Sequence, residues 1–134
     1  MNVGWLLPYQ VDAVFERLGA GFQKASDKCG GEESIAALWQ MCRNGDAMML
    51  VAMDGTEIVM ASIWRFQQWD KGTVFRCISL TGKRMKEWAA DAERMARQRA
   101  KLGGAAKIVA DGRGGWPGLF KEAREIRRTY EVIL

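Results

Sequence analysis

The chain has 134 residues, 49% of hydrophobic type, and a formal net charge of +4; such a length suits one core, so residues 1–134 are expected to form a single domain. No run reaches the roughly 18 to 20 apolar residues of a membrane span, and no basic segment followed by an apolar stretch opens the chain, so a cytoplasmic or virion-associated protein is expected rather than a secreted one. Histidine is absent and Cys29, Cys42 and Cys77 are widely spaced, which excludes Ser-His and Cys-His nucleophile pairs and points to neither a disulfide framework nor a metal site.

Val11, Val14, Phe15, Leu18 and Phe22 recur at helical spacing behind Pro8, so the spacing predicts a first helix from near Tyr9 that fades after Gly19 and Gly21. Ser26 to Gly31 reads as a loop. A second helix is expected from Glu32 or Glu33, with Ile35, Leu38, Trp39 and Cys42 on its buried face and Asn44-Gly45 at its end. From Ala47 the pattern changes. Apolar runs at 48–53 and 58–64 flank Asp54-Gly55, a hairpin signal, and a second turn around Asp70-Lys71-Gly72 leads into residues 73–80. These segments predict three antiparallel strands in a meander.

After Thr81-Gly82, a stripe of Met85, Trp88, Ala89, Ala92, Met95, Ala96 and Leu102 marks the longest helix, which Gly103-Gly104 stops. Lys107 to Ala110 reads as a strand parallel to its predecessor, because a helical crossover joins them. A tight loop at 111–115, a short helix near Trp116–Arg124 with Pro117 in its first turn, and a final strand from Tyr130 to Leu134 complete the chain. The fold class is therefore mixed α/β, in the order ααβββαβαβ.

That order is carried together with Thr81-Gly82-Lys83-Arg84-Met85-Lys86-Glu87-Trp88, Asp111-Gly112-Arg113-Gly114-Gly115-Trp116 and Tyr130-Glu131-Val132-Ile133-Leu134. It resembles the GNAT (N-acetyltransferase) superfamily over essentially the whole chain, and within it the small GNAT-like proteins of phages and prophages. The resemblance implies an acyl-coenzyme A N-acyltransferase fold. Two of its strands, here those at 73–80 and 107–110, splay around the cofactor's pantetheine arm, and the pyrophosphate sits on the start of the long helix. Unpaired N–H groups and the positive dipole end make such a helix start an anion site.

Carried onto this chain, the resemblance implies acetyl-coenzyme A as cofactor, held by Leu80, Gly82, Lys83, Arg84, Met85 and Arg113. Backbone N–H groups around Ser79 and Leu80 would polarise the thioester carbonyl. The family's loop reads Gln or Arg, two residues, Gly, one residue, then Gly or Ala; this chain has Thr81-Gly82-Lys83-Arg84, a shorter loop with one glycine. Lys83 and Arg84 would offset the lost amide contacts with charge. Where the family often has Leu-Tyr-Glu/Lys, with the Tyr protonating the departing thiolate, Leu119-Phe120-Lys121 stands. Phe has no transferable proton, so the family's usual general acid is absent and the catalytic group is unknown, with Ser79 and Tyr130 as candidates.

Charge is skewed along the chain: residues 1–80 hold seven Lys/Arg against nine Asp/Glu, and residues 81–134 hold thirteen against seven. Nucleic-acid binding through Arg94, Arg97, Arg99, Lys101, Arg124, Arg127 and Arg128 is the lesser reading, because Asp91, Glu93, Glu122 and Glu125 interrupt the runs. Cys77 reads as packing, and Glu57 and Asp70 as turn carboxylates. The loop at 111–115 reads first as a turn, with Arg113 its phosphate or substrate contact if functional. Trp5, Phe66 and Trp69, if exposed, would suit a subunit interface, and the resemblance implies a homodimer. The functional expectation is acyl transfer to an amine substrate by direct attack; the alternative is a non-enzymatic phage or prophage binding or assembly protein.

Overall fold

The computed structural model describes residues 1–28, 33–111 and 116–134. Strand β1 (Asn2–Trp5) and one 3-10 turn (Pro8–Gln10) precede α1 (Val11–Lys28) and α2 (Ile35–Asn44). Then come β2 (Met48–Asp54), β3 (Glu57–Trp69), β4 (Gly72–Gly82), α3 (Met85–Leu102), β5 (Lys107–Ala110) and the single turn α4 (Trp116–Leu119). The strands form one sheet in the order β1-β2-β3-β4-β5; β1 to β4 are antiparallel and β5 lies parallel to β4. The expected mixed α/β class, the meander and the parallel crossover strand are all present.

The order differs from the sequence reading at both ends. Val3 and Trp5 alternate over too few residues to register as a strand, yet β1 gains its stability by pairing along β2, from Asn2 opposite Met53 to Trp5 opposite Leu50. At the other end Tyr130–Leu134 is not a strand: Tyr130 is 82% and Ile133 83% exposed. A β-prone segment without a neighbour gains neither ladder bonds nor burial. The fourth helix also stops at Leu119, short of the expected Arg124.

The first helix does not fade at its glycines but runs on to Lys28, because Gly21 is where α1 presses against Thr81 of β4. The α2 start expected at Glu32 lies outside the described residues for Glu32 itself; the helix begins after Ser34, whose hydroxyl accepts from the Ala37 N–H at 3.1 Å.

Both sheet faces are covered, which is why the central strands read as continuous apolar runs. One face packs Met49, Val51, Ala61 and Ile63 under Val14, Phe15 and Phe22 of α1 and Leu38 of α2. The other packs Leu50, Met60, Trp64 and Phe75 under α3, whose Ala92, Ala96 and Ala100 recur every fourth residue and let the helix sit close. Trp5 meets Trp64 and Phe75 edge-on at 6.4 and 6.0 Å, and Phe66 lies 4.5 Å from Phe75. These aromatics therefore belong to the core rather than to an exposed subunit interface, and Trp69 is half-buried beside Lys107. Among the described residues no helix is long and apolar enough to cross a membrane.

Candidate functional site

Strand β4 carries a bulge at the centre of the sheet. Ile63 faces Ser79 and Trp64 faces Cys77, so Ile78 is the additional residue. The parallel pairing with β5 ends at that level, with Cys77 opposite Ala110, whereas β4 continues to Gly82. Residues 78–82 thus have β3 on one side and no paired strand on the other among the described residues. Beyond the end of β5 this unpaired edge of β4 forms one side of a wedge. Ser79 presents a buried hydroxyl there that lacks a hydrogen-bond partner, while its carbonyl accepts from the Cys77 thiol at 3.5 Å.

The wedge leads to the start of α3. Gly82 faces Met60 so closely that a Cβ would meet the Val59 carbonyl oxygen at 2.8 Å and the Met60 Cα at 2.9 Å, and the Lys83 N–H donates to the same carbonyl at 2.9 Å. The glycine is thus required by the approach to β3, whatever else binds. Arg84 precedes the helix in the left-handed conformation, φ 62°, and its side chain does not cap. The Trp88 indole N–H donates to the Lys83 carbonyl at 2.7 Å and ties the loop to the helix behind it.

The two cations expected to stand ready for a phosphate are engaged instead. Lys83 Nζ lies 2.8 Å from Glu57, and Arg84 reaches Asp54 at 2.8 Å, Glu57 at 3.7 Å and Glu87 at 2.5 Å. Hydrogen bonds to Glu87 and then Asp54 raise the Arg84 pKa, and the Arg84 hydrogen bond holds Glu87 below the usual carboxylate range. Glu57, read from sequence as a solvent-facing turn carboxylate, is a member of this cluster. These pairs are exposed, so each contributes little and an incoming anion can compete for the cations.

The remaining sequence-derived candidates are spread out. Arg113 lies outside the described residues. Tyr130 is exposed and stands beside Arg128. Phe120 is buried with Leu119 in the α3-side core, under the Arg97 guanidinium at 5.5 Å. Cys77 is buried, as a packing role requires, and burial pushes the Cys42 thiol up to about 12. Arg94 pairs with Asp91, Arg97 with Glu93 and Glu122, and Arg128 with Glu125, so the acids that interrupt the basic runs neutralise them pairwise.

Two charged features have no sequence signal: Asp54 as an Arg84 partner and the Arg76–Asp111 pair, whose members are 30 and 35 residues apart. Among the described residues no group of three metal-ligating side chains stands together.

No protein-family model and no curated protein matches the chain. Solved structures match over its whole length. A ribosomal-protein-alanine N-acetyltransferase from Brucella melitensis biovar Abortus 2308 superposes with a TM-score of 0.70 at 14% identity, covering 100% of both chains. The fold is that of the GNAT acetyltransferases. An aminoglycoside acetyltransferase from an uncultured soil metagenomic sample gives 0.69 at 17% identity, over 99% of this chain and 97% of its own. A predicted acetyltransferase from Clostridium acetobutylicum, solved with acetyl-CoA, gives 0.70 at 11% identity over 98% and 95%. The shared property is the GNAT fold; the bulge, the wedge and the helix start are read from this chain's own backbone.

Proposed function

We propose that the chain binds an acyl-coenzyme A, with acetyl-coenzyme A the first choice, and transfers its acyl group to an amine. The observation that carries this reading is the edge of β4 beyond the Ile78 bulge, where the backbone around Ser79 and Leu80 has no paired strand on the β5 side among the described residues. The residues present suit the group: an unpaired β4 edge would run beside an extended arm, the buried Ser79 hydroxyl on that stretch lacks a partner, and an 18-residue helix begins just beyond it. Leu80 and Gly82 would line the arm, while the Met85 N–H, Lys83 and Arg84, with Arg113, would face the phosphates.

When bound, the cofactor supplies an activated thioester. The chain's own part is to orient the acceptor and to aim backbone N–H groups at the carbonyl oxygen, effects that need no covalent intermediate. Of the two catalytic candidates it is Ser79 that places a hydroxyl at the wedge. Amine acceptors are the class implied by the aminoglycoside acetyltransferases of this fold. Isothermal titration with acetyl-coenzyme A and desulfo-coenzyme A tests the reading. Binding of both, lost in Lys83→Glu, supports it; no heat and no shift in melting temperature with either ligand overturns it.

The ion pairing of Lys83 and Arg84 favours a second reading. A GNAT scaffold whose phosphate-facing cations are satisfied internally could serve as a non-enzymatic binding or assembly protein, for a phage or prophage component or as a homodimer. Multiple-turnover release of coenzyme A with any amine would sink this alternative.

A further inference from the structure

The sheet face that carries α1 and α2 also carries positive charge in excess of its carboxylates. Arg65 of β3 stands directly opposite Arg76 of β4, and like charges in facing positions of an antiparallel pair repel. The parallel register sets Lys107 opposite Val74 and Val109 opposite Arg76, so Lys107 lies on this face as well. Arg127 arrives from the segment after α4. Its guanidinium is 3.5 Å from Asp111 and 5.7 Å from the Trp69 ring, which Lys107 approaches at 4.8 Å.

Asp111 pairs with two of these four cations, turning one oxygen to Arg76 and the other to Arg127. Arg65 fares worst: its Nε is buried with no hydrogen-bond partner, and a terminal nitrogen meets only the Met41 sulfur at 3.6 Å. A buried N–H of an ionised group without an acceptor is costly. The Arg65 Nε is thus the donor in this cluster that a bound anion would satisfy.

Its position gives that anion a use. Ser79 stands opposite Ile63 and Arg76 opposite Arg65, so both side chains project to the α1/α2 face, two β3 residues apart, a spacing of about 7 Å. The charge cluster therefore adjoins the wedge on the side away from α3. We propose that Arg65, Arg76, Lys107 and Arg127 form a subsite for a phosphate or carboxylate, and that the acceptor is a small amine bearing such a group. The amine half of this statement rests on the acyl-transfer reading, whereas the anion half rests on the cluster alone. A polycationic acceptor is repelled by this face, which separates the chain from the aminoglycoside acetyltransferases that share its fold.

The test is titration with inorganic phosphate at constant ionic strength. The wild-type protein binds saturably. Lys107→Gln/Arg127→Gln, a pair of exposed positions, weakens binding by about tenfold, as loss of charge-assisted hydrogen bonds requires. Lys24→Gln/Lys101→Gln, which removes the same charge elsewhere, leaves binding unchanged. Absence of wild-type binding, or equal weakening in both double variants, overturns the subsite.

With acetyl-coenzyme A saturating, coenzyme A release is faster with O-phosphoethanolamine than with kanamycin; the opposite preference overturns the acceptor class. Failure to bind acetyl-coenzyme A counts against the acyl-transfer reading, and the phosphate titration still decides the subsite.

Discussion

Gly21 of α1 lies against Thr81 of β4 so closely that a methyl group on the glycine would overlap the threonine side chain. Gly19, two residues earlier on the same helix, has open space around its Cβ position. The two glycines should therefore respond with opposite sign. Gly19→Ala gains helix propensity and stabilises by up to about 1 kcal/mol, whereas Gly21→Ala overpacks and destabilises by about 1–3 kcal/mol. Urea denaturation measures both; stabilisation by both would mean that α1 is not held against β4.

Gly82→Ala forces a methyl into the β3 backbone, which has less freedom to give than a side chain. A loss of about 1–3 kcal/mol is expected by thermal or urea denaturation, with or without cofactor present. An unchanged melting temperature combined with lost acetyl-coenzyme A binding would show instead that the glycine serves the cofactor and not the sheet.

Releasing the cations at the α3 start should strengthen anion binding. Asp54→Asn with Glu57→Gln removes two of the three carboxylates that hold Lys83 and Arg84. Acetyl-coenzyme A affinity is expected to rise by roughly three- to tenfold at low salt, and the gain should shrink as salt screens exposed charges. Titration at two ionic strengths reads this directly. Weaker binding in the double variant would mean that the carboxylates position the cations for the cofactor.

Cys42 gives a pH dependence of known sign. Its folded thiol is raised from 9.0 to about 12 by burial, so the fold favours the neutral form. That contribution is complete below pH 9.0 and is lost progressively as pH rises towards about 12. Stability measured from pH 8 upward should fall more steeply than in Cys42→Ala, and at pH 8 the Cys42 thiol should resist alkylation until the protein unfolds.

Removal of residues 130–134 should leave stability within about 0.5 kcal/mol of the full chain, since Tyr130, Val132, Ile133 and Leu134 are all exposed. A larger loss, read by denaturant unfolding, would assign the segment a partner in solution.

The sequence made the meander, the long third helix and the parallel crossover strand legible because each is written in local periodicity or in turn residues such as Asp54-Gly55. It did not reveal β1, whose four residues form a strand only through β2, nor the length of α1, where glycine serves close approach and mimics a helix stop. The bulge at Ile78 is a matter of register between β3 and β4, which no single strand displays. The same limit applies to the charges: Lys83 and Arg84 could be named as cations, but their partners Asp54 and Glu57 come from a hairpin that folding brings alongside.

One inserted residue sets the handedness of use along β4. Counting past Ile78 without a bulge would turn Thr81 towards α3 and Leu80 towards α1; with it, Ser79 and Thr81 share the α1 side and Leu80 packs against the α3 side. Deleting Ile78 would therefore remove the bulge and nothing else of the register: Ser79 would still face Ile63 and Thr81 would still face Ala61. Straightening the strand by slipping residues 79–82 with Ile78 kept is what would reverse their parity and carry the helix contact at Gly21 and the acceptor-side hydroxyl to the other face together.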